Sequence, residues 1–228
     1  MIEKLKILLN LYFKNKCFLK RKTYSQDGED LILSKIFENE DKGVYLDVGC
    51  YHPIEISNTA LLYDKGWNGI NIDISEHSIK LFNFLKPDDV NLNLAVSNIN
   101  GTVDMFYQKK MSKISTISKT QSKRIFQGKV TKKKISSKTL TKIIDETIYK
   151  EKQIHFLNID AEGHDLEVLK SLNFKKYSPK AICIEIFPDN GNFENFNLKK
   201  TLSYEFLIKK NYTLHWSGYF SHIFIKKN

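Results

Sequence analysis

The sequence has 228 residues, of which 41% are hydrophobic; these values exclude a disordered chain and fit one domain with a full core. No stretch approaches the roughly 20 apolar residues that a membrane-spanning helix needs. The three cysteines form no CxxC pair, which argues against a disulfide framework or structural zinc site and for a reducing compartment. Because no small-residue cleavage site follows the N-terminal apolar run, we expect a mature, cytoplasmic protein.

The net charge of +10 is concentrated at the N-terminus and in the middle of the chain. The first 22 residues carry seven Lys or Arg against the single acid Glu3. Apolar residues between Ile2 and Phe13 recur at helical spacing, so residues 1–22 are predicted to be a basic amphipathic N-terminal helix. This helix could pack on the single domain predicted for residues 23–228, or contact an anionic membrane surface weakly.

A βαβ unit is predicted between Val44 and Ser75. One apolar strand stops at Asp47, a short helix ends before Gly66, and a second strand stops at Asp73. Such units cross over right-handed onto a parallel sheet. The turn after the first strand therefore lies at the carboxyl edge of the sheet, where open α/β folds bind ligands.

Further elements surround this unit. Ser25 can cap a helix whose apolar face runs from Leu31 to Phe37. Strands 90–96 and 101–107 are predicted to pair with each other in antiparallel fashion, followed by a largely irregular segment to Ser137. The other predicted elements are helices 57–65, 76–85, 140–148, 166–172 and 199–210, strands 153–159 and 181–186, and a hairpin of strands 212–216 and 219–225. This order predicts an α/β fold with a doubly wound, mostly parallel seven-stranded sheet and a C-terminal antiparallel hairpin.

The turn after the first strand indicates which cofactor fits. Gly49 is followed by Cys50 and Tyr51, so the further glycines that a dinucleotide pyrophosphate needs are missing. S-Adenosylmethionine has no phosphate, and Asp73 is placed to accept hydrogen bonds from both ribose hydroxyls. Asp47 and Asp73 could instead merely end strands, but the two together in one βαβ unit favour the cofactor.

Five segments carry a family resemblance: YSQDGEDLIL (24–33), YLDVGCYHP (45–53), SNTALLYDKGWNGINID (57–73), NLAVSN (93–98) and FLNIDAEGHDLEVLKSL (156–172). In them the chain resembles the FkbM family of S-adenosylmethionine-dependent methyltransferases. The resemblance implies a class I, Rossmann-like methyltransferase fold and O-methylation of a sugar, polyketide or related small hydroxylated molecule. Cys50 and Asp165 stand where the family more often has Ala and Glu.

The resemblance also implies roles for individual residues. Asp47 and Gly49 would form the first cofactor loop, and Asp73 would hold the ribose. Ala95 and Val96 would lie beside the adenine, with Ser25 and Gln26 covering the cofactor. The full predicted cofactor-binding set is Ser25, Gln26, Asp47, Gly49, Cys50, Asp73, Ile74, Ala95, Val96 and Asp160.

Methyl transfer to a hydroxyl requires alignment and a base that removes the hydroxyl proton. The run from Asp160 to His164 follows a buried strand and is best placed to supply that base. Glu162 is the first candidate, and His164, Asp160 and His52 are the others. Alternatively, Asp160 only caps the next helix and His164 is an ordinary surface residue.

A metal site is a further alternative. Asp160, Glu162 and Asp165, with Glu185 on the next strand, could hold Mg²⁺ through oxygen ligands. No spacing in the sequence demands a metal, and none is predicted.

The segment from Met105 to Ile144 carries twelve Lys or Arg residues and no acid. Residues 108–138 within it are predicted to form a Lys-rich flap over the site. Such a flap suits a small, anionic acceptor, such as a sugar phosphate, a nucleotide-linked sugar or a phosphate-containing precursor of a surface polysaccharide. A solvated loop is the alternative.

Two other functions compete with this one. The basic charge fits a nucleic-acid methyltransferase, but residues 160–162 are Asp-Ala-Glu where a proline–aromatic pair for base stacking is expected. We therefore expect no stable nucleic-acid partner. The second alternative is a non-catalytic S-adenosylmethionine-binding module, against which Asp47, Gly49, Asp73 and Asp160 argue together. The sequence predicts no oligomeric state.

Overall fold

The computed structural model describes residues 2–108, 114–188, 193–194 and 196–227. The strands in this part of the chain are β1 (Val44–Val48), β2 (Asn68–Asp73), β3 (Val90–Asn93), β4 (Ala95–Val96), β5 (Gly101–Tyr107), β6 (Thr131–Lys138), β7 (Phe156–Ile159), β8 (Ala181–Glu185), β9 (Tyr212–Ser217) and β10 (Ser221–Lys226).

Helices separate most of these strands. They are α1 (Ile2–Leu8, continued by a π-helix over Leu9–Lys14), α2 (Glu29–Ile36), α3 (Ala60–Asp64), α4 (Glu76–Leu85), α5 (Lys119–Ile125), α6 (Leu140–Asp145), α7 (Asp165–Lys170) and α8 (Leu202–Lys209), with a 3-10 helix over Leu198–Lys200. Polar side chains cap several of these helices at the N-terminus. The Ser75 hydroxyl accepts a hydrogen bond from the amide of Ser78 at α4, and the Thr139 hydroxyl accepts one from the amide of Lys142 at α6.

The main sheet has the strand order β3-β2-β1-β7-β8-β10-β9. β1 pairs in parallel with β2 and β7, and the parallel pairing extends to β3 on one side and β8 on the other. β10 is antiparallel to both β8 and β9. The predicted α/β fold with a mostly parallel seven-stranded sheet and a C-terminal antiparallel hairpin is therefore confirmed.

Hydrophobic cores cover both faces of this sheet, because alternate residues of a strand point to opposite sides. Leu46 and Val48 of β1 belong to the larger cluster. Tyr45 packs on the other face with the fully buried Trp67 and Phe156. Two buried faces hold the strand tips of β1, β2, β7 and β8 at one edge in a fixed arrangement.

The region after β3 differs from the prediction. The predicted strand 90–96 is split: β3 belongs to the main sheet, and β4 to a second sheet in the order β4-β6-β5. The predicted antiparallel pairing of 90–96 with 101–107 is wrong, because β5 pairs with β6 and β4 runs parallel to β6. The segment to Ser137 is not irregular throughout, since it contains α5 and β6; residues 109–113 of the predicted flap lie outside the described part.

The N-terminal segment packs on the domain, but it is helical only from Ile2 to Lys14; residues 15–22, which were predicted to continue the helix, form turns and irregular structure. Leu11 is fully buried. The side-chain oxygen of Asn10 accepts from His52 Nε2 at 2.8 Å and from Asn15 Nδ2 at 2.9 Å. Within the described residues, no helix is both long enough and apolar enough to cross a bilayer.

Candidate active site

A cavity of about 260 Å³ opens at the edge where β1, β2 and β7 end. Backbone and apolar groups form much of its wall, and carboxylates stand at the tips of β2, β7 and β8. Its lining is Gln26, Val48, Gly49, Tyr51, Ile56, Ile72, Asp73, Ile74, Ser75, Ser78, Leu94, Ala95, Val96, Ile114, Ser115, Ile117, Asp160, Ala161, Glu162, His164 and Glu185. The structure thus brings together Gln26, Gly49, Asp73, Ile74, Ala95, Val96, Asp160, Glu162 and His164 of the predicted site.

Gly49 forms the turn between β1 and the cavity. It has a φ of +76° and donates its amide to the carbonyl of Ile72 at 2.8 Å. A Cβ on this residue would lie 1.7 Å from the backbone oxygen of Asp160. Only glycine therefore allows the tips of β1 and β7 to approach each other this closely.

Asp73 ends β2 and is held by two backbone amides. Its Oδ2 accepts from Tyr51 N at 2.8 Å and its Oδ1 from Ser75 N at 2.6 Å. Burial raises the pKa of this carboxyl to about 6, although the hydrogen bonds from the two backbone amides act to lower it. A carboxylate can accept about four hydrogen bonds, so each oxygen keeps capacity for a further donor.

Four carboxyl groups surround the end of β7. Burial, followed by the charge of Glu185, raises the pKa of Asp160 well above its usual range. Burial and neighbouring carboxylates raise the pKa of Glu162 and of Glu185 to about 8. Burial raises the pKa of Asp165 to about 6, against the hydrogen bonds it accepts from the amides of Ala161 and Gly163.

Two of these acids have features that point to a ligand. Asp160 Oδ1 is buried and has no hydrogen-bond partner among the described residues, which is an unfavourable arrangement for a carboxyl oxygen. Glu162 has a φ of +49°, and its carbonyl accepts from Thr116 Oγ1 at 2.9 Å. A non-glycine residue in this conformation stores backbone strain, which is concentrated at functional sites.

His164 lies at the start of α7 and borders the cavity. Its Nε2 is 3.2 Å from Ser97 Oγ, and its Nδ1 is 3.8 Å from Glu167 Oε2. Burial lowers its pKa, and the charge of Glu167 acts in the opposite direction. It is therefore a mostly neutral imidazole near pH 7, not an ordinary surface histidine.

Asp47 and Cys50 lie behind the turn and not in this cavity. Asp47 accepts hydrogen bonds from Thr59 Oγ1 at 2.7 Å and Asn158 Nδ2 at 2.9 Å. Cys50 packs against Ile79 and Phe82. Asp47 and Cys50 border a neighbouring space of only about 30 Å³, so their direct contact with a cofactor stays a prediction.

His52 does not face the cavity, which corrects its placement among the candidate bases. Its Nδ1 accepts from the amides of Ile54 and Glu55, and its Nε2 reaches Asn10. Burial lowers its pKa to about 4, so the ring is neutral and carries its proton on Nε2. Its place is structural, joining the N-terminal helix to the loop after β1.

Ser25 supports the loop before α2 and does not border the cavity. Its hydroxyl donates to Asp30 Oδ1 at 2.7 Å and accepts from the amides of Gly28 and Asp30. Asp30 Oδ2 accepts from the amide of Tyr24 at 2.6 Å. This closed network presents the exposed side chain of Gln26 at the cavity wall.

Several lining residues carry no clear signal in the sequence. Tyr51 contributes its amide to Asp73 from a φ of +48°, and neither its type nor its neighbours indicate that conformation. Ser75 had a usable signal, because a serine just before an apolar helix is a typical N-cap. Ile114 and Ile117 come from the stretch before α5, which has no apolar period.

A larger, open groove of about 830 Å³ also borders Glu185. Its walls come from α5, the start of α7 and the chain after β8. Arg124 and Lys200 supply positive charge, and Phe187 and Phe196 supply aromatic surface. Three acids, Asp165, Glu167 and Glu185, also line the groove. Lys132 and Lys134 border neither cavity, and both pair with Asp104, at 2.8 and 2.9 Å.

The carboxylates do not form a recognisable metal site. In residues 2–108, 114–188, 193–194 and 196–227, no group of three or more His, Cys, Asp or Glu side chains has the arrangement that could hold a metal ion.

α/β folds with a glycine turn after the first strand and an acid at the next strand tip commonly bind nucleotides or nucleosides at that edge of the sheet. The family described as Methyltransferase FkbM domain matches residues 47–219 of the 228. The chain therefore belongs to the FkbM methyltransferase family, and its reaction class is methyl transfer. No curated protein matches the chain.

Proposed function

We propose that the protein is an S-adenosylmethionine-dependent O-methyltransferase with a class I, Rossmann-like, doubly wound fold. The observation that carries the proposal is the Asp73 carboxylate at the tip of β2, held by two amides and facing the cavity beside Gly49. The strand order β3-β2-β1-β7-β8-β10-β9, in which the antiparallel β10 is inserted between β8 and β9, supports the class I assignment.

The residues present fit this cofactor. Asp73 would accept from the ribose hydroxyls, and Ala95 and Val96 give an apolar wall for the adenine. The close approach at Gly49 leaves backbone, not side chain, facing the nucleoside. Asp160 Oδ1 offers an unused acceptor. When bound, the cofactor supplies an electrophilic methyl group on a sulfonium cation.

Glu162 is the base we propose. It lies in the cavity, and its pKa of about 8 makes its carboxylate a stronger base than an ordinary glutamate, with the base form predominating above that pH. Its carbonyl contact with Thr116 fixes the backbone from which the side chain extends. His164 and Asp160 stand beside it and complete the polar wall.

The open groove is the proposed acceptor site. It borders Glu185, which also lines the cofactor cavity, so an acceptor there reaches the same edge of the sheet. Arg124 and Lys200 suit a phosphate or other anionic group, and Phe187 and Phe196 suit a sugar ring or base. This supports a small, hydroxylated, anionic acceptor such as a sugar phosphate, a nucleotide-linked sugar or a polysaccharide precursor.

Calorimetric titration with S-adenosylmethionine tests the cofactor directly. We expect saturable binding by wild type, weaker binding by Asp73→Asn and unchanged binding by the control Asp104→Asn, whose carboxylate pairs with lysines on β6. Absence of heat with the wild type, while its circular dichroism shows a folded protein, would refute the cofactor assignment.

Mass detection of methyl gain by phosphorylated and nucleotide-linked sugars tests the acceptor class. Arg124→Glu should raise the acceptor KM without changing cofactor affinity, whereas Lys123→Glu, the neighbouring exposed position outside the groove lining, should not. Equal effects of both variants would argue against the groove as the acceptor site.

A further inference from the structure

The surface around the N-terminal helix exposes several large apolar side chains, three of which are in ring contact. Tyr12 stacks on Phe18 at a centroid distance of 6.4 Å and meets the edge of Phe84 at 6.5 Å. Phe13 is 76% exposed and Phe18 63%. The members of the patch are Leu5, Leu9, Tyr12, Phe13, Phe18, Leu19 and Phe84. Soluble proteins rarely leave so many large apolar side chains together on the surface without a binding role.

The patch is held outward by polar contacts on the opposite side of the helix. Leu11 is buried against the domain. Asn10 accepts from His52 Nε2, and Arg21 Nη2 donates to the Asn15 carbonyl at 2.6 Å. Glu3 pairs with Lys80 at 2.5 Å. The helix cannot turn its apolar side chains inward without breaking these contacts, so the patch is a stable surface and not a frayed end.

Positive charge surrounds the patch. The exposed cations of this segment are Lys4, Lys6, Lys14, Lys16, Lys20, Arg21 and Lys22. Glu3 is its only acid, and that carboxylate is already paired with Lys80. Exposed apolar side chains interspersed with lysines along one segment match a bilayer with anionic headgroups, in which the lysines meet phosphates and the rings enter the acyl boundary.

We infer that this patch docks the protein on the surface of an anionic lipid bilayer. A second copy of the chain fits it less well, because a twofold interface would place the same seven cations against each other. The helix would lie in the plane of the interface, with its exposed apolar side chains at the boundary between headgroups and acyl chains. The inference is independent of the methyl-transfer proposal.

Co-sedimentation with vesicles tests the inference. Wild-type protein is mixed with vesicles of phosphatidylcholine alone or of phosphatidylcholine with phosphatidylglycerol, at low and high salt. The variant Phe13→Ser/Phe18→Ser removes the two most exposed rings of the patch. Ile148→Ser is the matched control, because this side chain is 67% exposed but lies between α6 and β7. Calorimetric melting checks that all proteins remain folded.

We expect wild type and Ile148→Ser to sediment with the anionic vesicles only, and the double variant to lose about tenfold or more in partitioning, as removal of two inserted rings requires. Salt should weaken the binding. The inference is overturned if wild type ignores anionic vesicles, or if the double variant binds them as well as wild type. It is also overturned if size-exclusion chromatography shows a dimer that the double variant abolishes.

Discussion

Replacing Gly49 by alanine probes the closest backbone contact in the site. The new Cβ would lie 1.7 Å from the Asp160 carbonyl oxygen, and real Cβ atoms essentially never come within 3.0 Å of such an atom. The tips of β1 and β7 must therefore separate by about 1.3 Å, the difference between these distances. That movement displaces the turn that faces the cavity.

The magnitude follows from a comparison with Gly66→Ala. Gly66 has a φ of +87°, but no atom lies within 4 Å of the position that an added Cβ would take. Its replacement therefore carries only the left-handed strain, roughly 1–2 kcal/mol. Gly49→Ala carries similar strain plus overpacking of typically about 1–3 kcal/mol. For a chain of this size, the Gly49 variant should melt roughly 2–12 °C below the Gly66 variant.

Thermal and urea unfolding of the two variants measure this difference. S-Adenosylmethionine titration adds a second readout, since only the Gly49 variant should bind the cofactor more weakly. Equal losses of unfolding free energy in both variants would show that the β1 and β7 tips tolerate the methyl group. The role given to this glycine would then be refuted.

Three further predictions concern titrating groups. Cofactor affinity should fall as the pH drops below about 6, where Asp73 gains a proton, and Asp73→Asn should bind roughly 10- to 150-fold more weakly with no such pH dependence in calorimetry. Glu162→Gln should keep cofactor affinity but lose roughly 10²–10⁴-fold in kcat, and wild-type kcat should rise with pH to a plateau above about 8; full turnover by the variant removes Glu162 as the base. The pKa of His52 is about 4 in the folded state and about 6.5 in the unfolded state, so the unfolded state takes up the proton first as the pH falls. Between about pH 6.5 and 4, wild type should therefore lose unfolding free energy relative to His52→Asn. Urea-unfolding free energies that change in parallel with pH in the two proteins would contradict this.

The sequence predicted the strand tips well, and the reason is physical. Asp73 and Asp160 each end a short apolar run of the kind that indicates a buried strand. Gly49 marks a turn in which a residue with a Cβ would collide with the backbone of Asp160. These two carboxylates could therefore be assigned to one edge of the sheet from the sequence alone.

The second sheet could not be predicted in the same way. Alternation continues smoothly from Val90 to Val96, yet the chain leaves one sheet after Asn93 and enters another at Ala95. The partner of β4 and β5 is β6, whose exposed face is full of lysines and lacks an apolar period. Strand pairing there depends on tertiary contacts that the local pattern does not record.

His52 shows the same limit at a single residue. Its position after the first turn suggested a group in the cavity, but its ring donates to the side chain of Asn10, which lies 42 residues away in the chain. Long-range hydrogen bonds of this kind set the direction of a side chain and leave no trace in its immediate neighbours.

The joint at His52 has a practical consequence for shortened chains. Removing the first fourteen residues would take away Asn10 and Leu11 and leave the imidazole N–H without its acceptor beneath the loop that carries Tyr51 and Ile56. Such a truncation would destabilise one wall of the cavity at the same time as it removes the exposed surface of the N-terminal helix. Lost activity in a truncated protein would therefore reflect the loss of the Asn10 and Leu11 contacts. Point substitutions of exposed side chains separate this structural effect from the loss of the outer surface.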